Sequence, residues 1–230
     1  MTNQLENGKM DLTINAGDMN RAQDVVRWHI VPNNKKQSVA EHSWAVAMIA
    51  NQTARMLEQT LHVHLDKGSM LEYAILHDIE EVIVGDTPTP VKQFMKTITG
   101  FDAYDEMGKS LCRELREAKT DIDPVEMAIV KFADLLEADV YASKYVTDEK
   151  YRMGLLVNLD KAIVAQVEKL AALLSSDHNV KDAYNQTLAV ANEIKQQLHH
   201  GQTRLSHKLM ADVHNDVMNR VDVKQIGVPV

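Results

Sequence analysis

His77 and Asp78 stand side by side near the end of an apolar helical stretch, with His42 upstream and Asp134 downstream. A neutral imidazole next to a carboxylate is a poor core choice but a good pair of ligands for one divalent cation. Two nitrogen and two oxygen donors complete a four-ligand set with positions left open for water. A cation held that way lowers the pKa of bound water and can turn it into a nucleophile. A lone histidine is more often a hydrogen-bonded core residue or a cap. Four such residues in this order and setting favour one metal site.

Several neighbours could serve that chemistry. Glu81 follows Asp78 by three residues, which on a helix turns it to the same side. There it could handle the proton of an attacking water or of a leaving alkoxide. Glu80 is out of register and is expected to face solvent. Arg27 offers a planar fork suited to phosphate, and Trp28 a flat apolar wall for a sugar or base. Asp86, after Gly85, could orient a hydroxyl or a water, or merely cap a turn. Thr87, Thr89 and Lys92 could help hold phosphate. Lys131 either points toward the site or lies at the surface.

These side chains need elements to position them. Nine Gly, five Pro and 5% aromatics in 230 residues favour helix over sheet. A short helix is expected from about Asp18 to Trp28, ended by Val31-Pro32-Asn33-Asn34. Ser38-Val39-Ala40-Glu41 reads as a capping box opening a helix to about Thr60. Another is expected over Ser69–Val84, carrying His77 and Asp78 deep within it. Gly85 to Pro90 then forms a stiff, extended connection. A charged surface helix is expected over Phe101–Ala118. Asp123-Pro124-Val125-Glu126 opens one to about Tyr145, holding Asp134. Helices around 149–175, 182–199 and 205–221 follow. The expected organisation is a flexible extension over 1–17, one all-α domain over 18–200 and a C-terminal extension over 201–230. The stripe Leu205, Leu209, Val213, Val217 and Val221 in that extension could dock on its own domain or on another subunit, and a homo-oligomer, a dimer or larger, is expected.

Composition excludes several classes. The formal charge of −8 argues against a nucleic-acid polymer as partner. Cys112 stands alone, so no intramolecular disulfide forms, which fits a reducing cytoplasm. No apolar run approaches the ~20 residues of a membrane span, and the polar start carries no signal peptide. A soluble cytoplasmic protein without a membrane partner is expected. His62 and His64, and His199-His200, lie at helix ends, where histidine interacts well with the dipole. Trp44 is expected to be a packing or interface residue.

The ordered pattern H…HD…D resembles the HD-domain phosphohydrolases, most closely the bacterial 5′-deoxynucleotidase branch. The matching segments are Arg27-Trp28, Val39-Ala40-Glu41-His42-Ser43, Leu76 to Val82, Gly85 to Lys92, and Val130-Lys131-Phe132-Ala133-Asp134. The resemblance covers about Asp18 to Asp177 and implies an HD-domain helical bundle, commonly dimeric, using one divalent metal such as Co²⁺, Mn²⁺ or Zn²⁺. It assigns His42, His77, Asp78 and Asp134 as metal ligands and Glu81 as the catalytic acidic residue. Asp86 becomes a second acidic group near the substrate, and Arg27 and Trp28 line the nucleotide site. No histidine occurs between Asp78 and Asp134. Two-metal branches generally add histidines there, so one metal is expected.

The activity so implied is hydrolysis of 2′-deoxyribonucleoside 5′-monophosphates by a metal-activated water. A deoxynucleoside triphosphate triphosphohydrolase or pyrophosphohydrolase, for example dATP-directed, is the alternative. It would need extra cations on the β- and γ-phosphates, for which Lys35, Lys36, Lys92 and Lys96 stand near the motifs. A non-catalytic nucleotide-binding regulator is a third reading, disfavoured by the intact ligand set with Glu81.

Overall fold

Capping side chains and prolines set the helix boundaries of this chain. A computed structural model describes residues 5–6, 9–10, 14–175 and 180–200. Two-residue strands β1 (Leu5–Glu6) and β2 (Lys9–Met10) pair antiparallel. Asn15 caps α1 (Ala16–Asn20), which passes through a 3-10 turn at Arg21–Gln23 into β3 (Val26–Arg27). Strand β4 (Gln37–Ser38) pairs antiparallel with β3. Then come α2 (Val39–Leu61), α3 (Lys67–Leu76), α4 (Glu81–Val84), α5 (Thr89–Thr99), α6 (Ala103–Leu111) and α7 (Arg113–Asp121). The long α8 (Pro124–Tyr145), α9 (Glu149–Leu174) and α10 (Val180–His200) complete the described residues. Among these, no helix is long and apolar enough to cross a membrane.

The expected caps are present. Ser38 Oγ accepts from the Glu41 amide at 3.1 Å, and Glu41 Oε2 accepts from the Ser38 amide at 2.8 Å. Asp123 caps α8, with Pro124 in its first turn and Glu126 reaching back at 3.2 Å. The second oxygen of Glu126 accepts from the Asp66 amide at 2.5 Å, which ties the starts of α3 and α8 together.

The core lies where α2, α8, α9 and α10 meet. Ala50, Ala54 and Ala133 are fully buried, so the backbones can approach closely there. Leu57, Ile129, Phe132, Leu136, Val167, Leu170 and Ile194 fill the space around them. Leu57 has no exposed surface. Leu57→Ala is therefore expected to cost about 2–5 kcal/mol, read as a lower midpoint in urea unfolding. A second cluster joins Ile14, Val39, Leu76, Ile79, Val82, Leu111, Cys112 and Leu115.

Several expectations are corrected. The helix expected over Asp18–Trp28 stops early, because Val26 and Arg27 pair with Ser38 and Gln37 instead. Trp28 then takes a left-handed φ of 60°. The helix expected over Ser69–Val84 breaks after Leu76. The amides of Ile79, Glu81 and Val82 bond to carbonyls three residues back, which tightens and redirects the chain. His77 and Asp78 thus sit at a helix end, not deep within a helix. Gly85 to Pro88 stay outside any helix and Pro88 is extended, but the connection ends there, since Thr89 and Pro90 lie in the first turn of α5, where the missing proline amide costs nothing. The single helix over Phe101–Ala118 is two, broken at Cys112, whose sulfur accepts from the Leu115 amide.

The chain divides into two compact units, Met1–Ile194 and Lys195–Val230, and of the second only residues 195–200 are described. Within the stretch expected to be a flexible extension, Ile14 is buried and α1 begins at Ala16. The expected stripe over Leu205–Val221 lies outside the described residues.

Candidate metal centre

Three elements aim donors at one point. His42 lies in the first turn of α2, fixed by the Ser38–Glu41 box, and is fully buried. His77 ends α3, where its Nδ1–H donates to Ala74 O at 2.7 Å and leaves Nε2 turned away from that carbonyl. Asp78 follows in the tightened turn, and Asp134 comes from the middle of α8.

The donor atoms of His42, His77 and Asp134 lie within 4.8 Å of one another. His42 Nε2 is 3.3 Å from His77 Nε2, 3.3 Å from Asp134 Oδ1 and 3.5 Å from Asp78 Oδ2. Asp78 Oδ2 is also 3.4 Å from His77 Nε2. Ligands about 2.1 Å from a tetrahedral ion stand roughly 3.4 Å apart. The donor set therefore fits a single divalent cation. All four residues expected as ligands come together.

The charges around the cluster are arranged to keep it anionic. Burial opposes ionisation of Asp134, but Lys131, His77 and Arg27 outweigh it and hold the carboxyl down at about 2. Lys131 Nζ donates to Asp134 Oδ2 at 2.6 Å from a largely exposed position. Asp78 is likewise held low against burial, by His77 and by Arg27, whose Nη1 is 3.3 Å away. Arg27 Nε and Nη1 are buried and make no hydrogen bond within the protein, so a phosphate oxygen could satisfy both.

Glu81 is almost fully buried at the start of α4. Burial first, then the charge of Asp78, push its pKa up to about 7, with Lys92 and Arg27 pulling the other way. Lys92 reaches in from α5 and donates to Glu81 Oε1 at 2.8 Å, while Glu81 Oε2 has no hydrogen-bond partner. The expectation that Glu80 faces solvent is corrected: it is buried, and burial with the nearby Asp78 charge lifts it to about 8. The turn after Asp78 directs it inward, and Gly108 gives it room. A Cβ there would stand 3.2 Å from Glu80 Oε2.

Asp86 Oδ2 accepts from the Trp28 amide at 3.1 Å and lies 3.4 Å from His29 Nδ1. It holds the backbone of the Arg27-Trp28 corner. Thr87 stays at its turn, with its hydroxyl 3.5 Å from Gly85 O. Trp28 stacks on Tyr141 with ring centroids 4.9 Å apart and planes at 12°. Trp44, left between packing and interface, is 68% exposed.

Two residues escaped the sequence reading. Glu137 Oε2 accepts from His42 Nδ1–H at 2.7 Å, and Gln37 Nε2 donates to Glu137 Oε1 at 2.5 Å. The available signal was that Glu137 lies one helical turn beyond Asp134. Gln37 carried none, because its role depends on the β3–β4 pairing.

Residues 17–151 match the family model described as 5′-deoxynucleotidase YfbR-like. The chain is 34% identical over 139 residues to a dATP triphosphohydrolase of Acinetobacter phage SH-Ab 15497, spanning 57% of this chain and 68% of that one. It is 32% identical over 138 residues to the 5′-deoxynucleotidase PM0747 of Pasteurella multocida, spanning 54% and 70%. In fold it resembles the HD phosphohydrolase of cyanophage S-2L, solved with dA and one catalytic Zn²⁺ ion. That likeness has a TM-score of 0.62 at 19% identity and covers 82% of this chain and 99% of the other.

Proposed function

This chain belongs to the YfbR-like 5′-deoxynucleotidase family, and from that premise we propose that it hydrolyses the 5′-phosphate ester of 2′-deoxyribonucleoside monophosphates. The observation that carries the reading is the convergence of His42, His77, Asp78 and Asp134 beside Arg27 and Glu81. A divalent cation held by those four donors would supply Lewis acidity toward a phosphoryl oxygen and a lowered pKa for water. Co²⁺, Mn²⁺ and Zn²⁺ all suit two imidazoles and two carboxylates.

The chain's own residues do the rest. Arg27 presents buried, unsatisfied N–H donors to phosphate oxygens. Lys92 brings a second cation within reach and leaves Glu81 when phosphate competes for it. Glu81, titrating near neutrality, takes the proton of the attacking water at its free Oε2 and returns it to the leaving 5′-alkoxide. Trp28 offers a ring edge held by Tyr141 and Gln37 against which the nucleoside packs. Asp86 holds that corner through the Trp28 amide.

A second reading, a dATP triphosphohydrolase, is favoured by the name of the phage relative. The cations near the motifs, Lys35, Lys36, Lys92 and Lys96, would then be the candidates to bind the β- and γ-phosphates. A panel of all four dNMPs and dNTPs, with each metal in turn, separates the two. The expected result is inorganic phosphate from dNMPs. Triphosphate released from dATP, with dNMPs inert, replaces the lead reading with the second. No turnover of any deoxynucleotide overturns both and leaves the regulator. A homo-oligomer in the cytoplasm completes the proposal, supported by the lone buried Cys112 and by exposed Trp44 and Met48 one turn apart on α2.

A further inference from the structure

A buried chain of hydrogen bonds runs from Trp28 to the metal cluster. Trp28 Nε1–H donates to Gln37 Oε1 at 3.2 Å, and Gln37 Nε2 donates to Glu137 Oε1 at 2.5 Å. Glu137 Oε2 then accepts from His42 Nδ1–H at 2.7 Å. Gln37 and Glu137 are 5% and 6% exposed and His42 is fully buried, so water does not compete for these bonds.

The chain has a polarity set at its Trp28 end. An indole nitrogen can only donate, so the oxygen of Gln37 must face it and the amide nitrogen must face Glu137. In its carboxylate form Glu137 can accept on one oxygen from Gln37 and on the other from His42, as the two distances allow. His42 is thereby held with its proton on Nδ1 and its Nε2 lone pair facing His77, Asp78 and Asp134. The far end returns to the same place. Trp28 follows Arg27, whose Nη1 is 3.3 Å from Asp78. Trp28 is also held at a φ of 60°, a region costly for a side chain of its size. Its amide on Asp86, its carbonyl on Asn33 and its ring on Tyr141 keep it there.

We propose that Gln37 and Glu137 are positioning residues that tie the metal-facing imidazole of His42 to the indole of Trp28, so that metal uptake and the state of Trp28 are coupled. The inference rests on the metal reading above. By linkage, whatever packs on Trp28 also shifts metal affinity.

The chain has two tryptophans, so Trp44→Phe leaves Trp28 as the only indole. Metal-free full-length Trp44→Phe is titrated with Zn²⁺, reading uptake by chelator competition and Trp28 by emission. Zn²⁺ is expected to shift Trp28 emission with one-equivalent stoichiometry. Gln37→Met in that background should keep Zn²⁺ affinity within about tenfold and lose most of the emission change. Glu137→Gln breaks the polarity, because one of its two partners then meets an NH₂ group, and should weaken Zn²⁺ about 10–100-fold. Circular dichroism checks folding, and if Gln37→Met does not fold, the Glu137→Gln affinity decides.

Zn²⁺ bound with parental affinity by Glu137→Gln overturns the coupling and leaves the metal site standing. So does an emission change that survives Gln37→Met undiminished, or uptake by the parent with no emission change. No Zn²⁺ uptake by the parent overturns the metal reading and the coupling together.

Discussion

Asp134→Ala is expected to lower kcat/KM for deoxynucleotide hydrolysis about 10³-fold or more, with the protein still folded. The carboxylate supplies one of four donors, 3.3 Å from His42 Nε2, and is held ionised well below the usual carboxylate range. Its removal leaves two imidazoles and Asp78, and frees Lys131 into solvent. A thermal-shift measurement separates loss of metal from loss of fold. A cation at 100 times its dissociation constant stabilises the native state by about 2.7 kcal/mol. For a chain of this size that is a rise of roughly 5–10 °C in Tm. The parent should show that rise and lose it to a chelator, whereas Asp134→Ala should show neither. Because Asp134 titrates at about 2, it is charged across the working range. The loss in Asp134→Asn should therefore be the same at pH 6 and pH 8. Full turnover by Asp134→Ala would remove this residue from the metal site.

Local signals in the sequence carried the long helices and the ligands on them. The Ser38–Glu41 box and the Asp123-Pro124 start are short-range features, so α2 and α8 begin where the residues say. His42 and Asp134 are then placed by helical geometry alone. The 77–84 segment was not legible in the same way. Its apolar residues keep a helical spacing, while the chain tightens into three-residue bonds and restarts at Glu81. That break changes where Glu80 points and brings Asp78 onto the histidines. The Arg27-Trp28 corner was also hidden, because its conformation depends on pairing with Gln37 and Ser38 and on Asp86, 58 residues away from Trp28. Propensity has no term for partners that distant. Glu137 and Gln37 matter for what they touch, and pattern alone does not report contact across 100 residues.

Glu81→Gln should lower kcat about 10²–10⁴-fold while changing Zn²⁺ affinity little, since the Glu81 carboxylate pairs with Lys92 rather than with the four donors. Its carboxyl titrates at about 7, raised first by burial and then by the charge of Asp78. As the base toward water, it acts in its ionised form. Activity should therefore rise with pH through a limb centred at 7 or lower, since a bound cation favours the carboxylate. Glu81→Gln should flatten that limb. The same shift has an opposite sign for stability. In the unfolded chain the group titrates near 4.5. Between about 4.5 and 7 the folded state binds more protons than the unfolded one, so stability falls as pH rises, and the penalty is full above 7. Removing the charge should relieve it. Metal-free Glu81→Gln is expected to melt higher than the parent at pH 8, with the difference shrinking toward pH 5. A gain of ~1 kcal/mol would appear as about 2–4 °C. The loss of the Lys92 contact opposes this gain, but Lys92 still has Glu80 at 3.9 Å to turn to. A variant that is inactive yet more stable at alkaline pH identifies a carboxylate kept buried for its chemistry. One that melts lower than the parent at pH 8 would instead make the Glu81–Lys92 pair a structural contact.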